Sequence, residues 1–297
     1  MHDIFLAKEI RSDATGFQHL ISIYHDIKAC NDHDITLVFD NCCHFDANLS
    51  AMLGSLLDDL KANGYNLWLT TPVDQTIRDN LSRNKFFNAF NPNYKAQDTE
   101  NFIEYTRFSP LQTGEFKAYI ELQLMKKQKF PAHTESAGHL IQESIMEIFV
   151  NAVYHGQCNN VYSCGEYDER KNPPSLDMTI VDRGNTIPAK VNDFMTQRGW
   201  QPMKPCQAIR WALMDGTTTK DIPGGLGLFT LIEFLKLNQG AMQIVSGKGM
   251  VEYRNNRLRD FDIDKPFDGT IVNMEFNFND NKNYRLVNEP IDMDNLL

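Results

Sequence analysis

Residues 147–156 read Glu-Ile-Phe-Val-Asn-Ala-Val-Tyr-His-Gly, so Glu147, Asn151 and His155 recur at intervals of four. In a helix this spacing stacks a carboxylate, a carboxamide and an imidazole on one face. Such a carboxylate can polarise a water or a hydroxyl, and the carboxamide oxygen suits a hard cation such as Mg²⁺. Two glycine-bearing segments follow, Asp-Arg-Gly-Asn-Thr-Ile-Pro at 182–188 and Gly-Gly-Leu-Gly-Leu at 224–228. In the first, Asp182 offers an acceptor to an exocyclic amine, and Gly184 lets the backbone come close to a flat ring. In the second, Gly224, Gly225 and Gly227 precede a helix read over 226–237. N–H groups at such a start attract anions, and glycine leaves room for phosphate oxygens. Just upstream, Thr218 and Thr219 add hydroxyls and Lys220 a cation. Each feature alone is ordinary: a solvated helix edge, a turn, a polar loop. Their succession within one stretch of chain is what carries weight.

The helix bearing Glu147 is expected over 134–155, with Thr134 or Ser136 near its start and Gly156 at its stop. Ile141, Ile145, Ile148, Phe149 and Ala152 form its apolar stripe, and the polar trio lies on the flank of that stripe. Asp182 ends a strand over 177–182. A strand over 102–108, helices over 111–125 and 208–214, and alternating strands over 241–246 and 270–276 complete a unit of helices with late antiparallel strands. Ser-Gly-Lys-Gly at 246–249 lacks the upstream glycine of a P-loop and reads as a hairpin turn. The first hundred residues read differently: a helix over 17–27, a compact apolar strand over 34–40, a helix over 47–60 with Asp46 as N-cap and Asn63-Gly64 as stop, a strand over 65–70 and a helix over 73–84. That alternation implies a largely parallel sheet. The polar, turn-rich 91–98 marks a boundary. The expected division is an α/β unit over 1–95, an α/β sandwich over 96–280 and a tail over 281–297.

The succession of the three segments resembles the GHKL, or Bergerat-fold, ATPases, which include type II topoisomerases, mismatch-repair ATPases, histidine kinases and anti-sigma-factor serine kinases. The resemblance covers roughly residues 105–278. It implies ATP and Mg²⁺ as cofactors, Glu147 as the catalytic base, Asn151 as the magnesium ligand and His155 near the phosphates. It makes 182–188 the adenine box, with Asp182, Gly184 and Thr186 at the base, and 224–228 the phosphate box, with Gly224, Gly225, Leu226, Gly227 and Leu228, aided by Thr218 and Thr219. Residues 189–223 become the segment that closes over ATP, and Arg183 and Arg210 become candidate phosphate contacts. The chain departs from the family pattern at Thr186, where a second glycine is usual: the side chain narrows the pocket, and its hydroxyl can hydrogen-bond the base. The element order of 1–95 resembles the STAS domain of anti-sigma-factor antagonists. Where that family carries a phosphorylatable serine, this chain reads Asp46-Ala47, and Ser50 lies one turn further on.

The fusion implies an ATP-dependent protein serine kinase acting on a STAS-domain protein or another regulator, with a slow ATPase and a nucleotide-gated interaction switch as alternatives. A histidine kinase is disfavoured, because His133 and His139 lie too close to the Glu147 segment to be a phosphoacceptor on a preceding helix. With 29 Lys and Arg against 39 Asp and Glu, the chain carries a formal charge of −10, unsuited to general nucleic-acid or anionic-membrane binding. The short basic run at 126–129 reads as a solvated face. No apolar run reaches membrane-spanning length and the start of the chain lacks signal-peptide character, so a cytoplasmic protein is expected. Six cysteines make no disulfide framework, and the adjacent Cys42, Cys43 and His44 lack the spacing of a zinc site. A homodimer is possible.

Overall fold

The computed structural model describes residues 2–91, 94, 102–127, 129–217 and 227–289. The chain opens with β1 (His2–Phe5), β2 (Glu9–Ile10) and α1 (Ala14–Ala29), which Asp13 caps by accepting a hydrogen bond from Gly16 N at 2.9 Å. It continues through β3 (Asp34–Val38), β4 (His44–Phe45), a 3₁₀ turn (Ala47–Leu49) and α2 (Ser50–Ala62). Then come β5 (Asn66–Leu69), α3 (Gln75–Arg83) and α4 (Phe86–Phe90). Strands β1, β3 and β5 form a parallel sheet in the order β1-β3-β5, and β2 pairs in parallel with β4. The expected helices and strands are present. One local reading is corrected: Asp46 precedes the 3₁₀ turn, but its carboxylate makes no cap. It accepts instead from Ser12 N at 2.6 Å and contacts His44 Nε2 at 2.7 Å.

The second half contributes β6 (Phe102–Phe108), α5 (Thr113–Tyr119), α6 (Glu135–Asn151), β7 (Val161–Asp168), β8 (Ser175–Asp182), α7 (Ile187–Gln197), α8 (Pro205–Ala212), α9 (Gly227–Asn238), β9 (Ala241–Arg254) and β10 (Arg257–Asn277). Five strands make an antiparallel sheet in the order β6-β7-β8-β10-β9. Ser246–Gly249 is not a hairpin turn. β9 runs straight through it, and the turn falls at Asn255-Asn256, both at positive φ (53° and 58°), as a two-residue hairpin requires. At 247 the register with β10 shifts, and Gly247 adopts φ 59°, a backbone state that a side chain would strain.

Alternation along the strands gives this sheet two unlike faces. Leu176, Met178 and Ile180 of β8 and Val272, Met274 and Phe276 of β10 join α5, α6 and α9 in one apolar core. On the opposite face, Tyr162, Val181, Val245, Phe267 and Ile271 join α1 and α2 in a second core. The N-terminal unit therefore roofs the face of the sheet remote from α6. That face also carries polar residues, the pattern normally seen on a wetted antiparallel sheet. Here they are buried; the roof supplies partners to several of them, Asp177 and Glu275 pair instead with Lys171 and Arg254, and Asp177 Oδ1 and Ser175 Oγ have no hydrogen-bond partner among the described residues. Asn48 Nδ2 lies 2.8–2.9 Å from Ser12 Oγ, Thr179 Oγ1 and Asn273 Oδ1, and Glu166 Oε1 accepts from Ala47 N at 2.8 Å. Burial, reinforced by the charges of Asp46, Asp177 and Asp168, pushes the Glu166 carboxyl well above the usual carboxylate range.

Candidate functional site

Thr134 starts α6 by accepting from Ala137 N at 3.3 Å, and the helix buries the predicted stripe of Ile141, Ile145, Ile148 and Phe149. After Asn151 the helix widens into a π turn (Ala152–Gly156), a local unwinding common at functional sites. Glu147, Asn151 and His155 all line one cleft, together with Gly156, Asp182, Thr186 and Leu228. The cleft holds about 880 Å³ of space, open solvent included. All three chemical segments of the sequence thus contribute to one cavity, on the α6 side of the sheet.

Asp182 closes β8 and is 5% exposed. Its Oδ1 accepts from Gly184 N at 3.0 Å. Desolvation raises its carboxyl to about 7, against the lowering effect of the backbone donors at Gly184 and Thr270. Gly184 is needed for a reason other than ring approach: a Cβ there would stand 2.2 Å from Gly156 O. The 182–188 turn packs directly on the end of the π turn, and Asn185 N donates to the same carbonyl at 2.6 Å. Thr186 caps α7, its Oγ1 accepting from Ala189 N at 3.2 Å, with Pro188 in the first turn. Ser246 Oγ holds the start of α7 by accepting from Ile187 N at 2.9 Å.

Gly227 and Leu228 begin α9. Gly227 N donates to Glu147 Oε2 at 2.8 Å. The carboxylate read as a base here ties α6 to the electropositive start of α9, the place expected for phosphate. Thr218, Thr219, Lys220, Gly224, Gly225 and Leu226 lie outside the described residues.

Two expected contacts are not made. Arg183 turns to the roofed face, where it lies 4.4 Å from the Tyr24 ring centroid and 3.6 Å from Asp59. Arg210 pairs with Asp260 at 2.7 Å on the β9–β10 hairpin. Both follow from strand and helix direction: Arg183 succeeds the front-facing Asp182 on the sheet, and Arg210 lies on the α8 face packed toward that hairpin. The cleft instead gains Lys190 and Val191 from α7, Trp211 from α8, and Thr217, none of them singled out from the sequence. The Thr186 cap followed by Pro188 is the signal that would have placed α7 and hence Lys190. Residues 189–217 are largely α7 and α8, joined by a small core of Val191, Met195 and Ala208 with Phe194, Met203 and Trp211 packed on it. Ala47, expected to match a serine position, is wholly buried, its N donating to Glu166 Oε1 on the roofed face of the sheet.

Cys42 Sγ donates to His44 O, and Cys43 is exposed. Among the described residues no group of three His, Cys, Asp or Glu side chains is placed to hold a metal. Among them also, no helix is long and apolar enough to cross a membrane. Comparison with models of known protein families gives no match, and comparison with curated proteins gives none either.

Proposed function

We propose that this protein binds ATP·Mg²⁺ in the cleft between α6, α7 and α9 and transfers the γ-phosphoryl group to a serine of a partner protein. The reading rests on the GHKL resemblance, and the observation that carries it is the convergence of Glu147, Asn151, Asp182, Thr186 and Leu228 on a single cavity. Asp182 takes the adenine amine, and its ionised form selects adenine over guanine, which presents a carbonyl there. The oxygen donors at the cleft, Asn151 and Glu147, fit Mg²⁺, which is held by one or two protein oxygens plus phosphates and not by a full protein cage. When bound, that ion neutralises charge on the phosphate oxygens. The phosphate chain competes with Glu147 for Gly227 N–H, which frees the carboxylate to take the proton of the attacking hydroxyl. Lys190 supplies a cation to the same cleft. Ala47 carries no hydroxyl and is wholly buried, which argues against self-phosphorylation at that position.

The test follows the label of γ-labelled ATP·Mg²⁺ with the whole chain, alone and then with extract of the source cell. Label should move to a protein band and fail to move with Glu147→Gln. Label released only as free phosphate would make the protein an ATPase. Label staying on tightly bound ATP would make it a nucleotide-gated switch. Absence of ATP binding would refute the site.

A further inference from the structure

β5 ends the three-stranded parallel sheet, with no partner on its outer side among the described residues. Its inner ladder uses Asn66 N, which donates to His33 O at 2.8 Å, and the ladder is continued by Thr70 N, which donates to Leu37 O at 2.9 Å. Because strand N–H groups alternate in direction, those of Leu67 and Leu69 point outward. They open onto a groove of about 900 Å³, open solvent included, walled by Leu57, Trp68, Phe87, Phe90 and Tyr94. Residues 66–69, Asn-Leu-Trp-Leu, contain no Pro, Lys or charged side chain to block the edge, and Trp68 is 44% exposed. Among the described residues the rim holds one cation. Lys61 Nζ sits 4.3 Å from the Phe90 ring centroid and joins no ion pair among the described residues, while the neighbouring Asp58 is taken by Arg107 at 2.8 Å.

We propose that the β5 edge is a docking site for an extended peptide of another protein, added as a further strand, with alternate apolar side chains in the groove and an acidic side chain on Lys61. Backbone pairing sets the direction and register of the guest, the aromatic wall selects apolar residues at every second position, and Lys61 selects the acid. A second copy of β5 fits less well. Residues 66–71 hold no acidic side chain, so a symmetric pair would leave both Lys61 ammonium groups without a carboxylate.

The site is tested by panning a displayed library of linear twelve-residue peptides on the whole chain. Enriched peptides should alternate apolar residues around one Asp or Glu. For the best synthetic peptide, Lys61→Glu should weaken binding about fivefold. N-methylation of the peptide amides facing β5 should weaken it about tenfold or more, whereas N-methylation of the intervening amides should not. Leu69→Pro removes one outward donor and leaves the β3 ladder intact, so it should act like the first N-methyl set. If that variant misfolds, the peptide-side N-methyl pair still decides. Four outcomes would overturn the proposal: no enriched pattern, equal effects of the two N-methyl sets, dimerisation through β5 that excludes peptide, or binding only after residues 95–101 are replaced by Gly and Ser.

Discussion

Replacing Asp182 by Asn separates the stability of the cleft from its chemistry. In the fold, burial lifts this carboxyl from 3.8 to about 7. A carboxyl so raised keeps its proton in the native state up to about pH 7, while the unfolded chain releases it near pH 4. Its contribution to stability is therefore greatest in acid and falls as pH rises from about 4 through 7. The full change corresponds to on the order of 4 kcal/mol. Asn retains an oxygen for Gly184 N and has no charge to desolvate. If wild type and Asp182→Asn are matched in stability at pH 5, the variant should be the more stable at pH 8 by roughly 2.7 kcal/mol, the part of that change that falls between pH 5 and 7. Urea unfolding of both proteins between pH 5 and 8 reads the difference, and the other buried carboxyls, Asp177 and Glu166 among them, cancel to first order in it. Nucleotide affinity should run the other way. In wild type it rises as pH climbs through 7 and Asp182 ionises, whereas in the variant it is weak and flat. A stability difference that does not change with pH would refute the desolvated carboxylate, and with it the reason for a strong acceptor at this position.

Gly184→Ala should cost roughly 2 kcal/mol or more, because the new methyl meets the Gly156 backbone and not a yielding side chain; the thermal midpoint and nucleotide affinity should fall together. Asn48→Ala leaves Ser12 Oγ without its partner in a sealed layer, while Thr179 and Asn273 keep the bond between them, and should cost about 2 kcal/mol in urea unfolding, with little change in nucleotide affinity once folded. Thr186→Gly removes the hydroxyl that caps α7 but keeps a residue tolerated at that position, so stability should drop by only a few tenths of a kcal/mol, while Thr186→Ala should cost about 1 kcal/mol. Calorimetry on the two variants separates capping from any role in holding the base.

Local patterns made much of this legible. The i, i+4 spacing of Glu147, Asn151 and His155 survives the π turn, since all three still line one cleft. The Leu stripe of α2 and the Asn63-Gly64 stop, with Gly64 at φ 86°, follow from side-chain period and backbone chirality. What escaped was set by tertiary context. The polar alternation of β8 and β10, with Asp177, Thr179, Asn273 and Glu275 on one side, has the form of a face for water; only the N-terminal roof shows it to be dry. β7, β1 and α7 were not read at all. In 161–168 a Gly and a Cys interrupt the β-rich run, and α7 falls within 182–188 and 189–223, segments read by resemblance and not by helical period. Arg183 and Arg210, candidate phosphate contacts under the resemblance, each lie beside an acid outside the cleft.

The hydrogen bond from Asn48 to Asn273 joins residues 225 positions apart, and it has a consequence for how the chain is made. A ribosome adding 5–20 residues each second needs roughly 10–45 s to travel that distance. For that interval the roof has emerged without the sheet it covers. The faces of α1 and α2 that pack on the five-stranded sheet stand uncovered until β7, β8 and β10 arrive. The nascent protein is then most exposed to aggregation, and most open to a chaperone, during the stretch in which its cleft is still being synthesised.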